Sequence, residues 1–290
     1  MSHEITRRGF TLIELIVALT LFGLVTGAIY GVLRSNQLTY QRQVAQVDMN
    51  NTARTTLSVL RNDLRGLDAG DPLGSDILSM GSDFLVYRVT RSLWFLCQPP
   101  TATTITVFYA DSLRFPKYGW SLSAAMDSLL VYTENDTMSV GDNQWSRFAI
   151  SGSPALGTAC PGGQQSYTIT LTGGTLTGVD NGTPVRGMQT WKFTTYVDGL
   201  GDWWLGAQQL YNSGSTSALQ PVVGPLDGAS GLSLVYYDVN GNATTTPADV
   251  HRVAIAVTSR SDGRVVTQSG LGYATDGLST VVTLRNNPAN

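Results

Sequence analysis

Few groups in this chain have the chemistry to act on a substrate. One of the two histidines stands at position 3. The other, His251, opens a run of alternating residues, where a surface or structural imidazole is the plainer reading. No serine or cysteine has a base nearby in sequence to activate it as a nucleophile. Cys97 and Cys160 lie far apart and neither belongs to a Cys-x-x-Cys pair, which argues against thiolate metal ligation. In an oxidising compartment they would form a disulfide, and a bridge closing a loop of that length stabilises a fold by about 4 kcal/mol; otherwise they are two buried thiols. Asp238, Asn240 and Asn242 alternate like calcium-loop ligands, but Gly241 falls two positions too early for that pattern and no acid closes it, so they read as turn residues. Trp203 and Trp204, within GLGDWWLG, are either a surface aromatic pair for a partner or buried at a sheet edge. The expectation is no catalytic residue, no metal and no cofactor: not an enzyme.

One acid stands where physics disfavours it. From Leu15 to Leu33 there are nineteen residues without a charge, and the apolar run begins at Phe10. As a helix, Phe10 to Leu33 spans about 36 Å, more than the roughly 30 Å hydrocarbon core of a bilayer. Arg7 and Arg8 precede it and mark the cytoplasmic end, so the rest of the chain is expected to face outward. A secretory signal peptide has a shorter apolar region followed by a small-x-small cleavage site, which is missing here. A plain single-span anchor fits the length. Neither accounts for Glu14, an acid five residues into the run, which costs on the order of 2.5–3.5 kcal/mol at the bilayer centre and less near the interface. Thr11 is its only polar neighbour within a helical turn.

Gly9-Phe10-Thr11-Leu12-Ile13-Glu14, with the arginines before it, resembles the class III signal of type IV prepilins and type II secretion pseudopilins. The resemblance implies that a prepilin peptidase cuts after Gly9 and methylates Phe10, the new terminus. It also implies that Glu14 pairs with the terminal amine of a neighbouring subunit. An acid unpartnered in its own chain then favours assembly over isolation. Gly23, Gly27 and Gly31 recur every four residues on one face, either to let helices approach closely in lipid or because glycine is common in membrane helices. Major pilins carry a helix-breaking proline about where Gly31 stands; its absence fits a minor pilin better.

Beyond the apolar run, Arg34 to Leu67 contains no proline and only Gly66, and Leu57, Leu60, Leu64 and Leu67 form a helical stripe. Gly66, Gly70 and Pro72 end the helix, which is expected to run for about 55 residues. Only 13% of the chain is charged, against roughly 25% in an average domain, and it holds 31 glycines, which suits a β-rich extracytoplasmic protein. A net charge of −3 gives no basic patch for nucleic acid. From Leu73 the pattern alternates. Phe84 to Val89 and Ser92 to Leu96 read as paired strands. Further strands are predicted over Thr104–Tyr109, Ser128–Thr133, Trp145–Ile150, Tyr167–Thr172, Gln189–Val197, Leu232–Val239, Arg252–Thr258 and Thr280–Leu284. Asn240-Gly241 is read as a type I′ turn, and about 97–185 as an inserted β region. The predicted fold is α+β and pilin-like: a long N-terminal helix packed on an antiparallel sheet. The expected parts are a cleaved leader at 1–9, a transmembrane segment at 10–33, an extracytoplasmic amphipathic helix at 34–68 and a globular domain at 69–290.

GLSLVYYDVNGNA, ADVHRVAIAVTSRS and the terminal STVVTLRN, with its Arg285-Asn286 pair, resemble PilW-type minor pilins and the J pseudopilin of type II secretion. A strand near Trp191 to Asp198 fits loosely. The resemblance implies a subunit that helps prime filament assembly. Its partners would be other pilins or pseudopilins, the prepilin peptidase, an inner-membrane assembly platform and membrane lipid. Its place would be the bacterial inner membrane as a single-pass protein, then a pilus or a periplasmic pseudopilus. Three roles remain open: minor pilin, J-type pseudopilin, and tip adhesin with a surface ligand.

Overall fold

The computed structural model describes residues 11–70, 75–108, 122–134, 144–174, 176–267 and 270–284. One helix, α1 (Leu12–Leu64), precedes fifteen strands among these residues. They are β1 (Ile77–Met80), β2 (Phe84–Phe95), β3 (Thr104–Phe108), β4 (Asp127–Thr133), β5 (Gln144–Ile150), β6 (Ala155–Leu156), β7 (Ser166–Thr172), β8 (Pro184–Val197), β9 (Trp203–Leu210), β10 (Gln220–Leu226), β11 (Leu232–Tyr237), β12 (Arg252–Arg260), β13 (Val265–Thr267), β14 (Gly270–Gly272) and β15 (Thr275–Thr283). The fold is α+β: one long apolar helix followed by a large antiparallel sheet domain. The helix closes at Leu64 rather than reaching 68, because the chain turns at Arg65–Gly66, where Gly66 N donates to the Asp63 carbonyl at 3.3 Å.

The chain divides into two compact units. The first comprises Met1–Met49 and Ser261–Ala274. It holds the apolar part of α1 and the β13–β14 hairpin, whose base is tied by Ser261 N donating to the Ala274 carbonyl at 2.8 Å.

The second unit, Asn50–Arg260 with Thr275–Asn290, contains two hydrophobic cores. In the first core, Ala53, Leu60, Leu64 and Leu67 pack against Leu85 and Tyr87 of β2, Phe193 of β8, Leu205 of β9 and the inward residues of β11 and β12. The helical stripe is therefore the face that meets the sheet, with Leu57 half-buried at its margin. The Tyr87 hydroxyl also donates to Asp63 Oδ2 at 2.6 Å, tying sheet to helix. The second core draws every buried member from Leu96 to Val185, so the inserted β region has a hydrophobic interior of its own. Long strands β2 and β8 serve both cores: Leu85 and Phe193 lie in the first, Trp94 and Val185 in or against the second.

Several expected elements differ. Phe84–Val89 and Ser92–Leu96 are not partners but one strand, β2, running antiparallel to β8 with a register shift between Thr90 and Ser92. The intervening Thr90-Arg91 contains no turn-forming residue, so the chain bulges and continues. The GLGDWWLG segment forms a tight turn and the start of β9, a strand not among those expected. Asn240-Gly241 is not a type I′ turn, which needs positive φ at both residues, since no described non-glycine residue has one. Instead, Asp238 N donates to the Asn242 carbonyl at 2.9 Å around a three-residue loop whose last residue, Gly241, has φ of 88°. Asp198–Asp202 and Tyr211–Ser215 repeat this turn, with Gly201 and Gly214 in the same left-handed position. Only glycine takes that conformation without strain. The last strand begins at Thr275, earlier than expected, and Arg285-Asn286 lies outside the described residues.

Candidate functional site

The first turn of α1 carries the chemistry. Thr11 precedes the helix and Glu14 is its third residue. Glu14 N donates to Thr11 Oγ1 at 3.3 Å; in return Thr11 N and Thr11 Oγ1 donate to Glu14 Oε2 at 2.9 and 3.0 Å. This is a capping box, which satisfies two of the donors that a helix start leaves open. The Thr-x-x-Glu spacing is the sequence signal for it. Glu14 Oε1 accepts no hydrogen bond among the described residues. The carboxylate thus sits half-engaged at the start of an apolar helix.

Around it the helix is apolar on every face and unburied, with Leu12, Phe22 and Leu24 at 77%, 69% and 72% exposure. It is long and apolar enough to cross a membrane. A Cβ added at Gly23, Gly27 or Gly31 would meet nothing within 4 Å, so this face is open in the single chain. Gly9 and Phe10 lie outside the described residues.

The other candidate residues are placed as follows. Cys97 and Cys160 stand with their sulfurs 2.06 Å apart, the geometry of a disulfide across a sequence separation of 63. Trp203 and Trp204 are both half-buried; Trp203 packs against the first core, and Trp204 Nε1 donates to Asp198 Oδ2 at 3.0 Å. His251 is half-buried; its backbone N–H donates to the Tyr237 carbonyl at 2.8 Å and its carbonyl accepts from Leu284 N at 3.0 Å. Asp238 accepts from Asn242 N at 2.8 Å and Asn242 Nδ2 at 3.3 Å, bonds that hold its carboxyl below the usual range. Its oxygens are occupied in closing a turn. Among the described residues no group of three or more His, Cys, Asp or Glu could hold a metal.

Sequence reasoning missed the buried pair Arg91–Asp127. Arg91 Nη1 donates to both Asp127 oxygens, at 3.0 and 2.8 Å, and Ser123 N donates to Oδ2 at 2.6 Å. Burial pushes the Asp127 carboxyl up, against the Ser123 N–H and the guanidinium that pull it down. The pair joins β2 to the strand entering the second core, and no local sequence signal links residues so far apart.

Residues 6–30 match the family model of the prokaryotic N-terminal methylation motif. No curated protein and no solved structure matched the chain. The match implies processing by a prepilin peptidase and assembly with other pilins, and proteins bearing this motif are structural rather than enzymatic. Together with the apolar helix it fits a membrane-anchored, single-pass protein. A methylation motif at the head of a long apolar helix, followed in sequence by a large antiparallel sheet domain, supports a type IV prepilin- or pseudopilin-like protein.

Proposed function

We propose that the chain is a minor type IV pilin, a structural subunit that helps prime and build the pilus through α1. The observation that carries the proposal is Glu14: an acid at the head of an apolar segment that is exposed on every face, with Oε2 held by Thr11 and Oε1 accepting no hydrogen bond among the described residues. Its desolvation is offset when a neighbouring subunit presents a cation, and the methylated amine of Phe10 on that subunit is such a cation. The proposal assigns 1–9 to a leader removed after Gly9. It assigns 10–33 to the bilayer, 34–68 to the segment outside the cytoplasm in which α1 ends at Leu64, and 69–290 to a displayed globular domain. Gly23, Gly27 and Gly31 form the open face against which other helices pack. α1 continues through Gly31 without a break, as suits the minor subtype.

Mass spectrometry of the mature protein should give an N-methylated Phe10 terminus, and Glu14→Val should insert in the membrane yet enter filaments poorly. Assembled protein that retains its first nine residues, with normal incorporation of Glu14→Val, would refute the proposal. The J-type pseudopilin uses the same helix chemistry; deletion separates the two by which filament is lost.

A further inference from the structure

Several sheet edges in this molecule are covered or interrupted. Leu96 bridges to Val107 of β3, and Cys97 N donates to the Thr106 carbonyl at 3.0 Å. Leu234 of β11 donates its N–H to the Ser82 carbonyl at 2.8 Å, and the Tyr236 hydroxyl reaches the carbonyls of Gly81 and Phe84. β10 carries Pro221 and Pro225, and its register against β9 shifts twice. β15 differs. It pairs with β12 without interruption, from Arg260↔Thr275 to Arg252↔Thr283, and bonds to no other strand among the described residues.

The direction of its free backbone groups follows from one bond. Leu284 N donates to the His251 carbonyl at 3.0 Å, so residues 276, 278, 280 and 282 direct their backbone toward β12. Thr275, Gly277, Ser279, Val281 and Thr283 therefore turn theirs outward. These five residues are also exposed, whereas Leu278 and Thr280 are half-buried and Val282 is buried. Gly277 N is satisfied locally by Asp276 Oδ1 at 2.9 Å; the outward groups of the other four have no protein partner among the described residues. A free edge of this length is a template for another strand, and proteins blunt such edges with lysine, proline, a bulge or brevity. β15, TDGLSTVVT, has none of these. Its single charge, Asp276, accepts a hydrogen bond from Asn50 Nδ2 at 2.9 Å.

A second copy is a poor occupant. Two identical edges close on each other antiparallel, related by a half-turn about the sheet normal. That rotation reverses a helix lying along the sheet face, where Ala53, Leu60 and Leu64 pack. Two chains anchored in one membrane through α1 need their helices parallel. We infer that the outer edge of β15 takes an extended segment of a different polypeptide, which joins the sheet as an added strand. Recognition is through main-chain hydrogen bonds, and the uncharged Thr275, Ser279, Val281 and Thr283 select small or β-branched uncharged residues opposite.

The inference rests on the membrane-anchored filament reading, and the test keeps the two apart. Hydrogen exchange is measured on the full-length chain, once alone in detergent and once in the filament complex isolated from its own membrane. The outward amides of Thr275, Ser279, Val281 and Thr283 should slow by at least about tenfold in the complex. Val281→Pro removes an outward donor that no ladder bond uses, so the fold should hold, as unchanged exchange in β12 would verify. Its incorporation should fall about tenfold, while Val281→Thr behaves as the parent. Free exchange of those amides in the complex, with Val281→Pro incorporated normally, overturns the inference even if Phe10 methylation and the Glu14 requirement hold. A crosslink between Ser279→Cys residues of two copies in the complex overturns it as well, by naming the wrong occupant.

Discussion

At the scale of single residues, several carboxylates close turns or cap the helix, among them Glu14, Asp198 and Asp238. Asp198 is the fullest case: Oδ1 accepts from Leu200 N and Asp202 N at 2.8 and 2.9 Å, and Oδ2 from Trp204 Nε1 at 3.0 Å. The Asp202 N–H is the largest cause of its lowered pKa. A carboxyl that ionises more easily folded than unfolded adds stability above its unfolded pKa, near 3.8, and loses it as pH falls through the lower folded value. Asp198→Asn should therefore flatten the acid limb of a pH–stability curve in which the parent weakens below about pH 4. Thermal melts across that range check it, and parallel curves would refute it. This role was hidden in sequence because DGLGD reads as a flexible loop, while the bond to Trp204 depends on the hairpin having formed. Thr11 and Glu14, by contrast, were within reach, since their spacing alone defines a capping box.

At the scale of elements, periodicity carried the helix and alternation carried most strands. Leu60 and Leu64 were identifiable as core because a 3.6-residue stripe has one buried solution when a sheet follows. Leu60→Ala should lower the stability of the chain by about 2–5 kcal/mol, from lost transfer energy plus the cavity left between α1 and the sheet. Chemical denaturation measures this, and an effect below about 0.5 kcal/mol, the usual size at a surface site, would mean that the helix does not rest on the sheet as described. Alternation could not say that β2 is one strand, because a bulge at Thr90–Ser92 flips the phase and imitates a turn. It also missed β9 and β10, where Trp203, Trp204 and the glycines between strands break the two-residue rhythm and pairing is settled by neighbours distant in sequence.

At the scale of the whole molecule, the second unit is built on two cores strung along β2 and β8, and the inserted β region was legible in the sequence as an alternating stretch over about 97–185. Its pairing order, β8-β4-β5-β7-β3, was not visible, because register across such separations depends on packing rather than on local residues. The Cys97–Cys160 pairing ties the chain entering β3 to the loop before β7, at the rim of the second core and away from the first. The two cores should then differ in what reduction does to them. With the bridge intact, the loop-closure entropy of the inserted region is removed from its unfolded ensemble, worth about 4 kcal/mol on the chain-entropy model. Opening the bridge returns that entropy to the region bounded by β2 and β8, while the core formed by α1, β11 and β12 keeps its contacts. Hydrogen exchange on the protein with and without reductant should show faster exchange in Thr104–Phe108 and Ser166–Thr172, with Leu232–Tyr237 and Arg252–Arg260 unchanged. Equal loosening of both sets would mean that β2 and β8 couple the cores into one cooperative block. Equal protection of both would mean that Arg91–Asp127 and the packing of β4 on β8 hold the insert without the sulfur bridge.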